Sequence, residues 1–234
     1  EPIRLATPVP APILAVGADL KSTVAVAAGD RVWLSTHLGD LAHPAARDAH
    51  AAAVDHLLAL AGVAPEVVAH DLHPGYASSG LAVTLAASHG AHLFGVQHHH
   101  AHLAACLAEH AVAGPVLGVA FDGLGYGPDG TAWGGELGVV AADRFERLAH
   151  LAAVPMPGGG AAVLEPWRMA VAHLLAADRL SSPGGAVAEL RGRHADRWEA
   201  VADLARTGVR SPTTTSAGRL VDAVAALCGA GDSN

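Results

Sequence analysis

The sequence has few cysteines, little positive charge and no long apolar run. Its only cysteines, Cys106 and Cys228, form no Cys-x-x-Cys motif and no disulfide framework, which favours a reducing, cytoplasmic setting. There is no signal peptide and no apolar run of about 18 residues or more, so we expect no membrane span. Lys and Arg number 14 against 22 Asp and Glu, a net charge of −8 that argues against a broad basic surface for nucleic acid.

Aromatic residues are also scarce, at 4%, whereas hydrophobic residues make up 51% of the chain. The core must therefore be built mainly from Ala, Val and Leu. A length of 234 residues suits one large domain or two lobes.

Histidine, by contrast, is abundant, with 16 residues, and four of them lie within the segment 98–102. This segment follows an apolar run, His92–Val96, that predicts a buried strand, and it opens a predicted helix. His98 and His102 are four residues apart, so on a helix both rings face the same side and can bind one transition metal. An incidental pair in a histidine-rich chain is the alternative, but the ends of such strands are where open α/β folds bind ligands.

Three apolar runs at 13–16, 23–28 and 31–36 are separated by tight turns and predict an antiparallel meander. The first turn contains Lys21, which is either a phosphate contact, as in the actin and hexokinase class of ATPases, or a solvated hairpin lysine. The meander is followed by alternating helices and strands up to the histidine segment. This order predicts a ribonuclease-H-like lobe of the actin-like ATPase (ASKHA) class, within an overall α/β fold.

One segment of this lobe has two interpretations. The polar segment 70–76, which contains Asp71, follows a predicted strand at 67–69 and is either a Pro-Gly turn capped by Asp71 or part of a site. The helix that follows, up to Gly90, is predicted to be capped by Ser78 and Ser79.

The pattern then restarts with a predicted strand at 115–121, a glycine-rich turn at 122–130 and a further strand at 137–140. Asp122 is predicted to face an interlobe cleft as a metal ligand. Gly123 and Gly125 are predicted to let backbone N–H groups approach a phosphate, although a plain β-turn is the alternative.

The remaining segments predict a second glycine-rich bend and three helical regions. The bend contains Gly158 and Gly159, which are further candidates for nucleotide contact. Helices are predicted from Glu165 to about Ala177, over 186–206 as a charged, solvated element, and over 221–228 with Ser216 as a cap. Loops are predicted at 181–185 and 229–234.

These motifs together resemble the carbamoyltransferase (Kae1-like) region of the hydrogenase maturation protein HypF. The matching strings occur in the family's order and include Gly-x-x-Leu-Lys-x-Thr at 17–23, His-Leu-Gly-Asp at 37–40, Ala-His-Asp-Leu-His-Pro at 69–74, Val-Gln-His-His-His-Ala-His at 96–102, Phe-Asp-Gly-Leu-Gly-Tyr-Gly-Pro-Asp-Gly-Thr at 121–131, Trp-Gly-Gly-Glu at 133–136, Glu-Pro-Trp-Arg-Met at 165–169 and Gly-Arg-Leu at 218–220.

The resemblance implies transfer of a carbamoyl group to the C-terminal cysteine of a HypE-type acceptor protein. The donor, carbamoyl-adenylate, would be made from carbamoyl phosphate and ATP with an upstream YrdC-like domain. The resemblance also implies a divalent metal, iron or zinc, held by His98, His102 and Asp122. The acceptor supplies the nucleophile, so no catalytic residue is assigned, and Cys106 is expected to pack in the core.

The resemblance also implies that the chain is truncated. Residues 1–12 are expected to be a linker from a missing upstream domain, 13–114 the complete first lobe, and 115–234 part of a second lobe. Such a fragment is expected to have weak or no transferase activity alone. The alternatives are a non-catalytic metal-binding or partner-docking module and a relative of the tRNA threonylcarbamoyladenosine transferases, which the acidic charge disfavours.

Overall fold

The structure is a computed structural model that describes residues 1–182 and 184–232, and it divides the chain into two compact units. The first unit consists of Glu1–Pro115 with Ala141–Arg144, and the second consists of Val116–Val140 with the chain from Phe145 onward. Each unit combines helices with a mixed sheet, which confirms the predicted α/β class. The predicted loops at 181–185 and 229–234 include Pro183, Ser233 and Asn234, which lie outside the described residues.

The first unit contains six strands and three helices. In chain order they are β1 (Ile3–Arg4), β2 (Ile13–Ala15), β3 (Ala25–Ala28), β4 (Arg31–Leu34), α1 (Pro44–Ala61), β5 (Val67–Asp71), α2 (Ala77–His89), β6 (His92–Val96) and α3 (His98–Glu109).

The sheet of this unit has the strand order β1-β4-β3-β2-β5-β6. Strands β2, β3 and β4 form the predicted antiparallel meander, and β1 pairs antiparallel with β4. Strands β2, β5 and β6 are parallel. Apolar side chains of β2, β3 and β5 meet those of α1 and α2 in one core, which includes Leu14, Val26, Val54, Val68 and Ala82. The segment 1–12, predicted to be a linker, contributes the edge strand β1.

Helix α2 is capped from a distant part of the chain. Its N-cap residue is Tyr76, and the carboxylate of Asp19 accepts hydrogen bonds from the backbone N–H groups of Ala77 and Ser78, at 2.9 and 3.0 Å. The prediction that Ser78 and Ser79 cap this helix is therefore wrong. The helix begins at Ala77, so both serines lie inside its first turn, where their side chains are buried.

The second unit contains five strands and five helices among its described residues. They are β7 (Val116–Tyr126), β8 (Ala132–Ala141), β9 (Arg144–His150), β10 (Val154–Pro155), α4 (Ala161–Leu164), α5 (Trp167–Ala176), α6 (Gly185–Arg193), α7 (Trp198–Thr207), β11 (Thr213–Thr214) and α8 (Ala217–Leu227).

The sheet of this unit has the order β10-β11-β8-β7, with β9 also paired to β8. Its core is centred on α5, which buries Trp167 and Met169 together with Leu190 of α6 and Trp198 of α7. The prediction that 186–206 is mostly helical is confirmed, and the segment forms two helices. The prediction that it is a solvated element is wrong for Leu190, Trp198 and Val201, which are buried although charged residues surround them in the sequence.

The glycine-rich segment at 122–130 also differs from its predicted form. Strand β7 continues to Tyr126 and pairs with β8 through an irregularity between Phe121 and Gly125, so the tight turn covers only 127–130. Gly123 and Gly125 therefore belong to a strand, since the irregularity bends β7 without ending its pairing. None of the helices in the described parts of the chain is both long and apolar enough to cross a membrane.

Candidate metal centre

The turn between β6 and α3 brings the histidine segment to the end of the parallel strands. Gln97 is the N-cap of α3, and its side-chain oxygen accepts a hydrogen bond from the backbone N–H of His100 at 3.0 Å. The cap fixes the start of the helix at His98, so that His98 and His102 lie one turn apart on the same face.

The rings of these two histidines converge. Nε2 of His98 and Nε2 of His102 are 3.2 Å apart, with ring centroids separated by 4.8 Å. Two nitrogens bound to one zinc ion at about 2.0–2.1 Å with tetrahedral angles lie roughly 3.3–3.4 Å apart. The separation of the two Nε2 atoms thus fits a shared ion, although their role as metal ligands stays a prediction.

Asp71 contacts the first of these histidines from the neighbouring strand. It is the last residue of β5, where it pairs with Val96 immediately before the helix cap. Its Oδ2 lies 2.6 Å from Nδ1 of His98, and its Oδ1 accepts the backbone N–H of His73 at 2.8 Å. The side chains of Asp71 and His98 are only 5% and 16% exposed, so little water screens this contact.

The surroundings of Asp71 favour its ionised form. Burial alone would raise the pKa of the carboxyl group, but the hydrogen bonds from His98 and from the N–H of His73, with the electrostatic attraction to both histidines, outweigh it. The pKa of Asp71 therefore lies below its usual value. The sequence left this segment open between a turn and a site. In the structure Asp71 organises the turn and also contacts His98, and a role of the segment in a site stays a prediction.

Asp122 lies in the second unit, within β7, and its backbone is held tightly. Ser216, the N-cap of α8, donates its hydroxyl to the carbonyl oxygens of Asp122 and Gly123, each at 2.8 Å. A Cβ atom on Gly218 would be 2.7 Å from Cα of Gly123, and one on Gly134 would be 2.6 Å from the Asp122 carbonyl oxygen. The glycines thus allow β7, β8 and α8 to approach closely around Asp122.

The predicted nucleotide contacts are distributed over separate segments. Lys21 is exposed in the segment between β2 and β3 of the first unit. Gly158 and Gly159 form a turn between β10 and α4, where φ values of 85° and 61° favour glycine. Gly123 and Gly125 lie in β7 as described above, and the roles of all five residues stay predictions.

Cys106 is exposed, so the expectation that it packs in the core is wrong. The buried residues of α3 are His99 and Leu107, and Cys106 precedes Leu107 by one position. Adjacent helical residues point about 100° apart, which turns the thiol away from the packed face.

Comparisons with known proteins find family models and relatives that agree with one another. The sequence model of the HypF Kae1-like domain matches residues 8–109, and the one described as the second subdomain of the carbamoyltransferase Kae1-like domain matches residues 118–234. Carbamoyltransferase HypF2 of Cupriavidus necator is 43% identical over 97% of this chain, and a carbamoyltransferase HypF homolog of the same organism is 45% identical over 94%.

A solved structure agrees with these sequence matches. The crystal structure of full-length HypF in its phosphate- and nucleotide-bound form has a TM-score of 0.90 and 37% identity, covering 100% of this chain and 36% of that one. The chain spans 27% and 55% of the lengths of the two Cupriavidus relatives. These matches confirm the resemblance predicted from the sequence motifs.

Proposed function

Since the chain belongs to the HypF Kae1-like domain family, we propose that it is the carbamoyl-transfer region of a hydrogenase maturation carbamoyltransferase. In this proposal, the carbamoyl donor is carbamoyl-adenylate and the acceptor is the C-terminal cysteine of a HypE-type protein. The related full-length HypF structure is a phosphate- and nucleotide-bound form, and the proposal assigns binding of ATP or of the adenylate to this region.

The proposed reaction is an acyl transfer with a simple balance of bonds. The acceptor thiolate forms a bond from sulfur to the carbamoyl carbon, the bond from that carbon to the phosphate oxygen breaks, and AMP leaves with the electron pair. The product is a thiocarbamate on the acceptor. Because the acceptor brings the nucleophile, this chain's residues have to bind and orient the adenylate and stabilise charge on the carbamoyl oxygen.

The convergence of His98 and His102 is the observation that carries the proposal. Their Nε2 atoms are 3.2 Å apart on one face of α3, at the end of the parallel strands. Neutral imidazoles suit iron and zinc. A bound divalent metal would supply Lewis-acid stabilisation of the charge that develops on the carbamoyl oxygen. The family resemblance assigns the ion a further ligand, Asp122.

The proposal assigns binding of the adenylate to a cationic side chain and to backbone N–H groups. Lys21 would neutralise phosphate charge, and the exposure of its side chain supports this role. Backbone N–H groups would contact the phosphate at Gly123, Gly125, Gly158 and Gly159. Glycine has no side chain, so the ligand can come close to the backbone there.

The proposal extends to the fold and to the source of the donor. Residues 13–114 would form the first ASKHA lobe and residues 115–234 part of the second, with residues 1–12 linking to an upstream segment. The parallel arrangement of β2, β5 and β6 beside an antiparallel meander supports the assignment of the first lobe. A YrdC-like domain upstream would deliver the carbamoyl-adenylate.

Metal content measured by elemental analysis tests the metal-binding part of the proposal. We expect the purified chain to retain iron or zinc, and the His98→Ala/His102→Ala double variant to lose it. The His56→Ala/His89→Ala variant is the matched control, because it also removes two imidazoles, and both are exposed on α1 and α2. Equal metal content in all three proteins would contradict the proposal.

A partner-docking module without catalysis is the second candidate function, since the chain spans only part of its relatives. The two candidates differ in what the double variant does within a complete HypF-type enzyme. Loss of carbamoyl transfer together with the metal supports the transfer region. Unchanged transfer with unchanged binding of a HypE-type acceptor would instead support a docking role.

A further inference from the structure

We infer that Asp71 is a positioning residue for the metal pair, because its carboxylate holds His98 in the tautomer and orientation that present Nε2 beside His102. Asp71 lies outside the predicted ligand set, and the inference rests on the proposed function, which it deepens. Three contacts carry it: the Asp71–His98 contact, the second hydrogen bond of the same carboxylate, and the distance between the two Nε2 atoms.

The carboxylate of Asp71 is fixed from several directions. The β5–β6 pairing places Asp71 opposite Val96, and the hydroxyl of Ser79 donates to the carbonyl oxygens of Asp71 and His73, each at 3.1 Å. The backbone N–H of His73 donates to Oδ1 at 2.8 Å, so Oδ2 is directed at Nδ1 of His98, 2.6 Å away. The side chain is 5% exposed, which leaves little room for it to turn away.

The hydrogen-bonding pattern determines the tautomer of His98. An ionised carboxylate can only accept hydrogen bonds, so Nδ1 of His98 must carry the proton that it donates to Oδ2. In a neutral imidazole, the other nitrogen then holds the lone pair. That nitrogen is Nε2, which lies 3.2 Å from Nε2 of His102. A carboxylate behind a metal-binding histidine orients the ring and raises its basicity in many metal sites.

The substitution Asp71→Asn reverses this pattern while keeping the size of the side chain. Asparagine has one accepting oxygen and one donating NH₂ group. If the oxygen keeps the hydrogen bond from the N–H of His73, the NH₂ group faces Nδ1 of His98. That nitrogen must then accept, which puts the proton on Nε2 and removes the lone pair that a metal needs.

Ser79→Ala is the matched control, because it weakens the same loop without touching the carboxylate. It removes the hydroxyl that donates to the carbonyl oxygens of Asp71 and His73. A merely structural role of Asp71 predicts that both variants change metal binding to a similar extent. A positioning role predicts that only Asp71→Asn does so.

Two measurements on the 234-residue chain test the inference. The first is Zn²⁺ affinity, determined by competition with a chromophoric chelator, for which we expect Asp71→Asn to bind about 10- to 100-fold more weakly. We expect Ser79→Ala to bind like the unmodified chain. The second is the tautomer of His98 in the metal-free chain, read from long-range ¹H–¹⁵N correlations and assigned by comparison with His98→Ala. We expect Nδ1–H in the unmodified chain and Nε2–H in Asp71→Asn.

The outcomes separate this inference from the proposed function. Unchanged Zn²⁺ affinity in Asp71→Asn, or an equal loss in Ser79→Ala, would overturn the role of Asp71 while His98→Ala/His102→Ala still tests the metal pair. If the unmodified chain and that double variant bind Zn²⁺ equally, the proposed metal function fails. In that case the tautomer decides alone: a change to Nε2–H in Asp71→Asn supports control of His98 by Asp71, and an unchanged tautomer refutes it.

Discussion

Glu136 shows how the second unit accommodates a fully buried charge. Its side chain is 0% exposed, and the carboxylate accepts hydrogen bonds from Nε of Arg147 at 2.6 Å and from the hydroxyl of Thr215. It also accepts the backbone N–H groups of Gly134 and Gly135, at 3.0 and 3.2 Å. Every donor around Glu136 is directed at a negative charge, so the residue ties β8 to β9 and to the segment before α8.

We predict that Glu136→Gln strongly destabilises the chain. The amide NH₂ group must face one of these donors, and Arg147 loses its buried carboxylate partner and keeps only the more exposed carboxylate of Asp129. Removing one partner of a buried ion pair costs about 3–5 kcal/mol of unfolding free energy, which chemical denaturation can measure. Asp203→Asn is the control, because Asp203 pairs with Arg206 on the surface, where loss of a pair costs at most about 1 kcal/mol. Equal stability of both variants would refute the prediction.

At the residue scale, the sequence indicated the two histidines but not the contacts of Asp71. The i,i+4 spacing of His98 and His102 already specifies a shared helical face, because helix geometry alone determines it. The contact between Asp71 and His98 depends on the register of β5 against β6, which brings together residues 27 positions apart. Periodicity within one segment carries no information on that register, which is why the segment at 70–76 had two interpretations.

Among the elements, α5 packs through a partly buried histidine as well as through apolar residues. His173 lies on this core helix, and burial lowers the pKa of its imidazole because the charged form is poorly solvated there. Within the described residues its Nε2 is buried and has no hydrogen-bond partner. The helix therefore packs with this histidine neutral, and acid should weaken its packing.

We predict that His173→Leu reduces the sensitivity of the chain to acid. The pKa of His173 is lower in the folded state than in the unfolded state, so the unfolded chain binds the proton first as the pH falls below about 6.5. The stability contributed by the neutral ring is present above that pH and is lost progressively towards the folded-state pKa. Chemical denaturation at pH 7.5 and pH 5 should show a smaller loss of unfolding free energy in His173→Leu.

His56→Leu is the control for this prediction. His56 is exposed on α1, where its ring gains no comparable burial. We expect His56→Leu to lose as much unfolding free energy between pH 7.5 and pH 5 as the unmodified chain. The burial argument fails if His173→Leu loses that much as well.

The predicted elements were most accurate where one local pattern dominates. Apolar runs bounded by tight turns predicted β2, β3 and β4, and the apolar run before the histidine segment predicted β6, which spans His92–Val96. The errors occurred where distant residues decide. Asp19 caps α2 across 58 positions of sequence, and the pairing with β8 extends β7 through glycines that look like a turn. Strand β9 has no apolar run of its own and depends on pairing with β8.

For the whole molecule, the composition predicted which residue types fill most of the core. It did not predict which individual residues are buried. The first unit packs mainly Ala, Val and Leu, as a chain with 4% aromatic residues requires. The core cluster of the second unit contains two buried tryptophans, Trp167 and Trp198, and the segment that forms helix α7 was expected to be solvated. A charged helix with a single apolar face buries that face only if another element packs on it. The sequence of one helix does not specify which element that is.

The charge of the whole molecule also separates the proposed function from a tRNA-modifying one. The chain has 14 Lys and Arg residues against 22 Asp and Glu. Many of its arginines already contact carboxylates, and the pairs include Arg147–Glu136, Arg168–Glu165, Arg191–Glu199, Arg193–Asp232 and Arg219–Asp222. A surface that follows a phosphate backbone needs cationic side chains directed at the ligand, and here they are directed at acidic neighbours.

We therefore predict that the chain does not bind tRNA at roughly 150 mM salt, near physiological ionic strength. Fluorescence anisotropy with labelled tRNA measures this, and a salt series identifies the cause of any signal. Binding that appears only at low salt and falls steeply as salt rises would be nonspecific attraction to phosphates, because released counterions drive it. Tight binding that persists at 150 mM salt would instead favour a tRNA threonylcarbamoyladenosine transferase relative, since such binding would have to come from contacts that net charge does not describe.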